Sequence, residues 1–220
     1  MKTAREFVDT SVKDAGVRGF LHSPADPAQH ALVLTHGAGS TCQSPLLVVL
    51  ADALCSSGWT VLRCDLPFRQ ARPHGPPPRG NAERDQAGLR AAVEALRRAA
   101  PGRMFLGGHS YGGRQASMLV SAEPGLAEAL LLLSYPLHPP QRPDVMRTAH
   151  LPDLRTPAFF VHGTGDGFGS IEEMEEAMGL IPTRTGLLAI SGAGHELIPR
   201  RSRGEFAARI ANAFLRFVDV

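Results

Sequence analysis

The segment RMFLGGHSYGGRQAS, residues 103–117, decides the fold. Its first half is apolar and typical of a buried strand, and glycines crowd both sides of Ser110. A helix is predicted to begin near Gly113. The pattern G-x-S-x-G between a strand and a helix predicts a sharp, strained turn that exposes the serine, and small neighbours let that turn close. We interpret Ser110 as a nucleophile; the alternative is a tight turn with only a structural role.

Outward from this segment, short apolar runs alternate with stretches of helical periodicity. Such alternation predicts an α/β protein with a mostly parallel, doubly wound sheet covered by helices on both faces. We expect about seven to eight strands in a single domain over residues 1–220. The predicted elements are a hairpin of 5–10 and 16–21 turning near Asp14–Gly16, strands within 31–39, 59–67, 103–110, 127–136, 156–163 and 185–190, and helices from Pro45 to Gly58, from a cap at Asn81 to about Ala99, near 170–179 and at 204–219.

Composition excludes several classes of partner. The net charge of +2 gives no electrostatic reason to expect nucleic acid, and Arg200, Arg201 and Arg203 are interpreted as the solvated start of the last helix. No apolar run approaches the roughly 18 residues of a membrane span. The N-terminus has no apolar signal region. A cytoplasmic protein is therefore expected.

Three cysteines, Cys42, Cys55 and Cys64, contain no C-x-x-C pair, so neither a disulfide framework nor a zinc site is predicted. The histidines are scattered, without H-E-x-x-H or clustered carboxylates at ligand spacing. We predict no metal and no cofactor.

A serine hydroxyl needs a base to become a nucleophile, and His195 is the candidate. It lies in SGAGHELIP, a glycine-bearing loop just after the last predicted strand. Serine, acid and histidine follow one another in this order in proteins with a strand–serine–helix turn. His162 ends a strand and is expected to support the loop that carries the acid, and His138, in YPLHPP, is interpreted as a packing or surface residue. The side chain of His109, the residue before the nucleophile, is expected to point away from the cavity.

The base needs an orienting carboxylate, and Asp166 in VHGTGDGFG is the candidate. It stands just past the penultimate strand, in a loop that glycines leave free to turn inward. Asp144 and Asp153 precede that strand, and Glu196 adjoins the histidine that it would have to face. The alternative for Asp166 is a turn residue bonded to its own backbone.

Acyl transfer also needs two backbone N–H groups directed at the oxyanion. Tyr111, the residue after the serine, is predicted to supply one. Ala38, in the glycine-rich loop HGAG, is predicted to supply the other, with Gly37 or Gly39 as alternatives. His36 is expected to hold this loop through side-chain hydrogen bonds.

The segments LTHGAG, DLPF, GGHSYGGRQAS, SYPLHPP, HGTGDGFGS and GAGH together resemble the small α/β-hydrolases of the Tex30 and NSL-complex-subunit type, related to dienelactone hydrolases. The resemblance runs from about Ala31 to about Ile198 and implies the α/β-hydrolase fold with a Ser110–Asp166–His195 triad. Dienelactone hydrolases carry cysteine where this chain has serine, so their substrate is not carried over. Relatives of this type include a chromatin-complex subunit, so an interaction scaffold with weak or no turnover stays open as an alternative.

A small ester or thioester, cleaved through an acyl-enzyme, is the substrate that these residues favour. Only 166 − 110 = 56 positions separate the serine from the acid, too few for a lid domain. The proline-rich segment 66–80 is expected to form one wall of an open site. Arg69, Arg72, Arg79 and Arg114 could then bind an anionic group, or be surface charges, with Arg114 bracing the helix after the serine. A homodimer is a candidate assembly.

Overall fold

The computed structural model describes residues 4–12, 15–26, 29–100, 102–199 and 202–219. Within these ranges the chain forms one eight-stranded sheet in the order β1-β2-β4-β3-β5-β6-β7-β8. β2 pairs antiparallel with β1 and with β4, and every other pairing is parallel. The strands are β1 Arg5–Asp9, β2 Val17–His22, β3 His30–Thr35, β4 Thr60–Cys64, β5 Arg103–His109, β6 Leu130–Leu133, β7 Ala158–Gly163 and β8 Thr185–Ile190.

Helices cover both faces of the sheet, as the alternating sequence predicts. They are α1 Pro45–Ser56, α2 Pro67–Ala71, α3 Ala82–Ala99, α4 Tyr111–Ala122, α5 Ile171–Met178 and α6 Arg203–Val218, with one 3₁₀ turn at Leu151–Asp153. In the described part of the chain no separate lid domain interrupts this order. The predicted fold class, a mostly parallel α/β sheet of seven to eight strands without a lid, is confirmed.

The core consists of two apolar layers that the alternating side chains of the sheet connect. On the central strand β5, Phe105 faces one layer and packs with Trp59 and Phe214, while the next residue, Leu106, belongs to the layer that includes Leu89 of α3. Each such side chain, when fully buried, contributes roughly 1.5–3 kcal/mol. This double burial explains why the strands are nearly continuous apolar runs.

Three local predictions need correction. The predicted strand 59–67 ends earlier than expected, at Cys64, and Pro67 instead occupies the first turn of a short helix, α2, where its missing N–H removes no helical hydrogen bond. Asn81 stands at the start of α3, yet its side chain makes no capping bond, because its backbone is already helical (φ −83°, ψ −2°). α4 begins at Tyr111, two residues earlier than predicted. The hairpin turn falls partly on residues 13–14, outside the described residues, as do Arg200 and Arg201.

Parallel pairing places several loops at one edge of the sheet. Thr35 pairs with Gly108, so the residues after β3 lie beside those after β5. Gly163 pairs with Ile190, so the loop after β7 lies beside the loop after β8. Ligand sites of open α/β sheets lie outside the carboxyl ends of the strands. Every side chain of the predicted triad is on one of these loops.

None of the described helices combines the length and the apolar character that a membrane span requires.

Candidate active site

Ser110 has a strained backbone between β5 and α4. Its φ of 50° and ψ of −116° lie in a region that residues other than glycine rarely adopt. The Ser110 N–H donates to the carbonyl of Leu133 at 2.8 Å, which holds the turn against β6. A Cβ at Gly108 would lie 2.7 Å from the backbone of residues 112–113, and one at Gly112 would lie 2.5 Å from the His36 oxygen. The turn therefore closes only with glycine at these two positions.

A chain of hydrogen bonds runs from Ser110 through His195 to Asp166. His195 Nε2 lies 2.8 Å from Ser110 Oγ, and its Nδ1 lies 2.8 Å from Asp166 Oδ2. An ionised carboxylate only accepts, so Nδ1 donates to Asp166, and Nε2 is left to accept the serine proton. The structure brings together the three side chains that the sequence singles out, at distances within hydrogen-bond reach.

Asp166 is buried and is held in two directions. Its carboxylate accepts from His195 and from the Phe168 N–H at 2.9 Å. Burial by itself would raise the pKa of Asp166, but these hydrogen bonds outweigh it, so the pKa lies below its ordinary value. Asp144, Asp153 and Glu196, the alternative acids, are exposed.

The loop after β7 also supplies two contacts around the imidazole. The Phe168 ring stacks on His195 with centroids 4.1 Å apart and planes tilted by 29°. The His162 Nε2–H donates to the Gly169 carbonyl at 2.8 Å, which confirms the predicted support of this loop. Sequence reasoning missed Phe168, because nothing in its local pattern indicates which ring it will cover.

His109 corrects an expectation about the residue before the nucleophile. Its side chain was expected to point away from the cavity, but it lines the cavity and donates Nε2–H to the His195 carbonyl at 2.8 Å. Burial lowers the pKa of His109, which favours the neutral ring. His138, by contrast, is buried against Pro139 and Glu173, a packing position of the kind predicted.

The two backbone segments predicted to bind an oxyanion border the same cavity. Tyr111 is the first residue of α4, where N–H groups have no partner within the helix. Ala38 lies in a turn closed by a bond from Ser40 N–H to the Gly37 carbonyl at 3.1 Å. His36 braces this loop: Leu66 N–H donates to its Nε2 at 3.1 Å, so Nδ1–H donates to the Gly37 oxygen at 2.8 Å. The structural role predicted for His36 is confirmed.

The carboxylate of Asp85, which the sequence did not single out, is buried and holds the side chain of Tyr111. Asp85 of α3 is fully buried and accepts from the Tyr111 hydroxyl at 2.7 Å and from the Phe68 N–H at 3.1 Å. It thereby ties α3 to the residue after Ser110 and to α2. Asp85 precedes Tyr111 by 26 residues, so only the folded chain reveals this contact.

Arg69 and Arg72, two of the candidates for binding an anionic group, do not line the cavity beside Ser110. Arg69 is buried, and its guanidinium donates four hydrogen bonds to carbonyls, so it is a brace for the 37–40 loop. The accepting carbonyls belong to Ala38, Ser40, Arg72 and Gly75, at 2.8, 2.8, 3.2 and 3.0 Å. Arg72 and Arg79 are exposed and do not line the cavity. In this segment, Arg69 therefore holds neighbouring loops in place, whereas Arg72 and Arg79 face solvent.

The cavity beside Ser110 has a volume of about 550 Å³. Segment 66–80 contributes no lining residue; the wall expected there comes from Pro136 and Arg147 in the connection after β6, together with Arg114 of α4. The other lining residues are Gly37, Ala38, Gly39, Ser40, His109, Ser110, Tyr111, Phe168, His195 and Glu196. Across the described ranges, no three His, Cys, Asp or Glu side chains come together in a way that could hold a metal ion.

Comparison with known proteins agrees with this architecture. A family model described as "Alpha/beta hydrolase domain" matches residues 28–219. A dienelactone hydrolase from Anabaena variabilis is 20% identical, with a TM-score of 0.75 over 97% of this chain and 98% of that one. Est1E from Butyrivibrio proteoclasticus is 15% identical, with a TM-score of 0.76 over 99% of each chain. An α/β serine hydrolase homologue from Coxiella burnetii is 15% identical, with a TM-score of 0.74 over 99% of this chain and 98% of that one.

Proposed function

The chain belongs to the alpha/beta hydrolase domain family, and from that premise we propose that it is a serine hydrolase that cleaves a small ester or thioester through an acyl-enzyme on Ser110. One observation carries the proposal. A serine in a strained turn is linked to a buried carboxylate through one imidazole, by two hydrogen bonds of 2.8 Å. An interaction scaffold has no use for this arrangement, so the enzyme is favoured over that alternative.

The acylation step follows from the direction of these hydrogen bonds. Ser110 Oγ attacks the substrate carbonyl carbon while its proton passes to His195 Nε2, and Asp166 stabilises the imidazolium. The N–H groups of Tyr111 and Ala38 receive the oxyanion, an interaction worth about 3 kcal/mol per donor in such sites. When the intermediate collapses, the bond to the alcohol or thiol breaks and His195 returns the proton to the leaving group.

Deacylation repeats these steps with water. His195 accepts a proton from water as the oxygen attacks the acyl carbon, and the proton then passes to Ser110 Oγ as the ester bond to the enzyme breaks. A cavity of about 550 Å³ suits a small substrate. The chemistry needs no Lewis acid or redox group, so esterase activity is expected to survive exhaustive dialysis against EDTA. Loss of activity that a divalent metal restores would contradict this mechanism.

The cellular setting is also a proposal. No disulfide joins Cys42, Cys55 or Cys64, all of which are described and buried, and this fits a reducing, cytoplasmic compartment. The motif set favours relatives of the Tex30 and NSL-complex-subunit type within the family. A small-molecule substrate is proposed from the arrangement around Ser110, and the weak net charge of +2 gives no reason to add a nucleic-acid partner. A homodimer and the lack of a membrane partner stay predictions from the sequence.

Hydrolysis of p-nitrophenyl acetate tests the proposal. The Ser110→Ala variant should lose at least about a thousandfold in kcat/KM. Ser121→Ala is the matched control, because Ser121 lies on the same helix, does not line the cavity, and donates its hydroxyl to the nearby Met118 carbonyl. Activity in Ser110→Ala equal to that of the control would refute the assignment.

A further inference from the structure

Two arginine side chains line the cavity next to Ser110. Arg114 is on α4, and its N–H donates to the Ser110 carbonyl at 3.0 Å. Side chains four residues apart share a helix face and lean toward the helix N-terminus, which directs Arg114 toward the end that carries the serine. Arg147 arrives from the connection after β6, where its N–H donates to the Leu137 carbonyl at 2.7 Å and its carbonyl accepts from Tyr135 at 3.0 Å. Both chain segments are thus anchored where the arginines meet the cavity.

Neither arginine has a compensating carboxylate. Among the described residues Arg90, Arg98 and Arg103 form ion pairs, whereas Arg114 and Arg147 form none. One polar neighbour of Arg114 is the Tyr135 hydroxyl, whose raised pKa keeps it neutral and therefore unable to balance the charge of Arg114. Burial, and then the nearby charge of Arg114, lowers the pKa of Arg147, so the two cations are close enough to repel each other.

A buried donor of Arg114 also lacks an acceptor. Its Nε is buried and has no hydrogen-bond partner in the described part of the chain. Leaving a buried donor of a charged group unpaired costs roughly 1–3 kcal/mol or more. Arg69 shows the contrast, since its guanidinium donates four hydrogen bonds to carbonyls of the chain and its Nε is bonded to one of them. Within the described residues, the Nε of Arg69 thus has an acceptor, whereas the Nε of Arg114 has none.

The charged residues that line the cavity come from different parts of the chain: Arg114 from α4, Arg147 from the connection after β6, and Glu196 from the loop after β8. Glu196, the one carboxylate among the described residues that line the cavity, is exposed and adjoins His195. His195 delivers its proton to the leaving group, so an anionic leaving group would meet the charge of Glu196. An anion on the acyl part would instead meet Arg114 and Arg147. A guanidinium pair binds a planar carboxylate through several charge-assisted hydrogen bonds.

We propose that the substrates are esters or thioesters whose acyl part carries a carboxylate, and that Arg114 and Arg147 bind this carboxylate. The inference rests on the proposed function, because it places the anion relative to an acyl group on Ser110. Arg147, which sequence reasoning missed, thus joins Arg114 in a role for which Arg69 and Arg72 were also candidates.

The charge preference is tested with a pair of esters of equal acyl length. The anionic ester is mono-p-nitrophenyl adipate, and the neutral one is p-nitrophenyl hexanoate. The protein should prefer the adipate by at least about tenfold in kcat/KM, and Arg147→Met and Arg114→Met should each reduce this ratio about tenfold. Arg147→Lys should restore part of it. Arg72→Gln, at an exposed arginine away from the cavity, is the matched control and should keep the ratio.

A binding measurement separates this inference from the proposed function. In Ser110→Ala, calorimetry with adipate should show saturable binding that salt weakens and that the added Arg147→Met abolishes. Hydrolysis of the hexanoate ester without adipate binding, or a ratio unaffected by both arginine variants, would overturn the arginine site and leave the hydrolase intact. Adipate binding without turnover of either ester would support the arginine site and refute the proposed function, and absence of both would refute both.

Discussion

The two walls of the cavity differ in how their charged groups are partnered. On one wall, His195 is bonded through both ring nitrogens, and Asp166 accepts from two donors. On the other, Arg114 and Arg147 have no carboxylate among the described residues. Ser110, His195 and Asp166 are thus positioned by contacts within the protein before any ligand binds, as catalytic residues need to be. Arg114 and Arg147 can gain a carboxylate partner from a bound ligand, as expected of residues that select the substrate.

Replacing the base, His195, should have the largest effect on activity. His195→Ala leaves Ser110 without its proton acceptor at 2.8 Å and should lower kcat/KM by about a thousandfold or more. The double variant with Ser110→Ala should be no worse than either single one, because the residues act as a unit. Esterase kinetics on all three variants measure this. Losses that multiply would mean that the two residues act independently.

Asp166→Asn should come next. An amide can present an N–H to His195 Nδ1, which reverses the tautomer and turns Nε2 into a donor unable to accept from Ser110. We expect a loss of about a hundredfold to ten-thousandfold in kcat, with Asp153→Asn, at an exposed carboxylate, as control. Undiminished activity would assign the orienting role to another group.

The same variant predicts a pH dependence of stability. The folded pKa of Asp166 is lowered, so its ionised form stabilises the fold above the ordinary pKa of 3.8, and this contribution is lost as the pH falls through the folded value. Urea unfolding should therefore show a gap between the protein and Asp166→Asn that is widest near pH 7 and narrows below about pH 4. A gap independent of pH would show that the charge of Asp166 contributes nothing.

Arg69 and Arg72 allow a buried, hydrogen-bonded arginine to be compared with an exposed one. Arg69→Met leaves buried carbonyls without donors under the 37–40 loop and should lower the free energy of unfolding by about 2–4 kcal/mol. Arg72→Gln, at an exposed position, should change it by less than about 0.5 kcal/mol. Thermal and urea unfolding compare the two. Equal effects would remove the distinction between these arginines.

The smallest expected effect is a pKa shift of His150, which the charge of Arg114 reaches. Burial and then the charge of Arg114 lower the pKa of His150 to about 4, and Ser117 Oγ lies 2.8 Å from its Nε2. Because an unfolded imidazole titrates near 6.5, the fold loses stability from this group as the pH falls from about 6.5 toward 4. NMR titration should show its pKa rising in Arg114→Met by up to about one unit, and not in Arg142→Gln, an exposed control. An unchanged pKa of His150 in Arg114→Met would show that the charge of Arg114 does not act on this imidazole.

The fold and the three residues Ser110, Asp166 and His195 could be predicted from sequence because their signals are local. Glycines and apolar runs mark where each strand ends, and parallel strands carry their last residues to one edge, so Ser110, Asp166 and His195 follow from chain order. Arg147 and Phe168 could not be predicted, because irregular connections carry them and no periodicity says which way they point. Arg69 illustrates the same limit, since a charge in a proline-rich stretch gives no sign that it will be buried beneath another loop.

Labelling with a fluorophosphonate probe tests the central claim most directly, because it reports an activated serine without requiring the natural substrate. Mass spectrometry of the digested protein should find one label, on the peptide that carries Ser110, and its rate of formation should fall sharply in His195→Ala. An unlabelled protein, or labelling that persists in Ser110→Ala, would contradict the account.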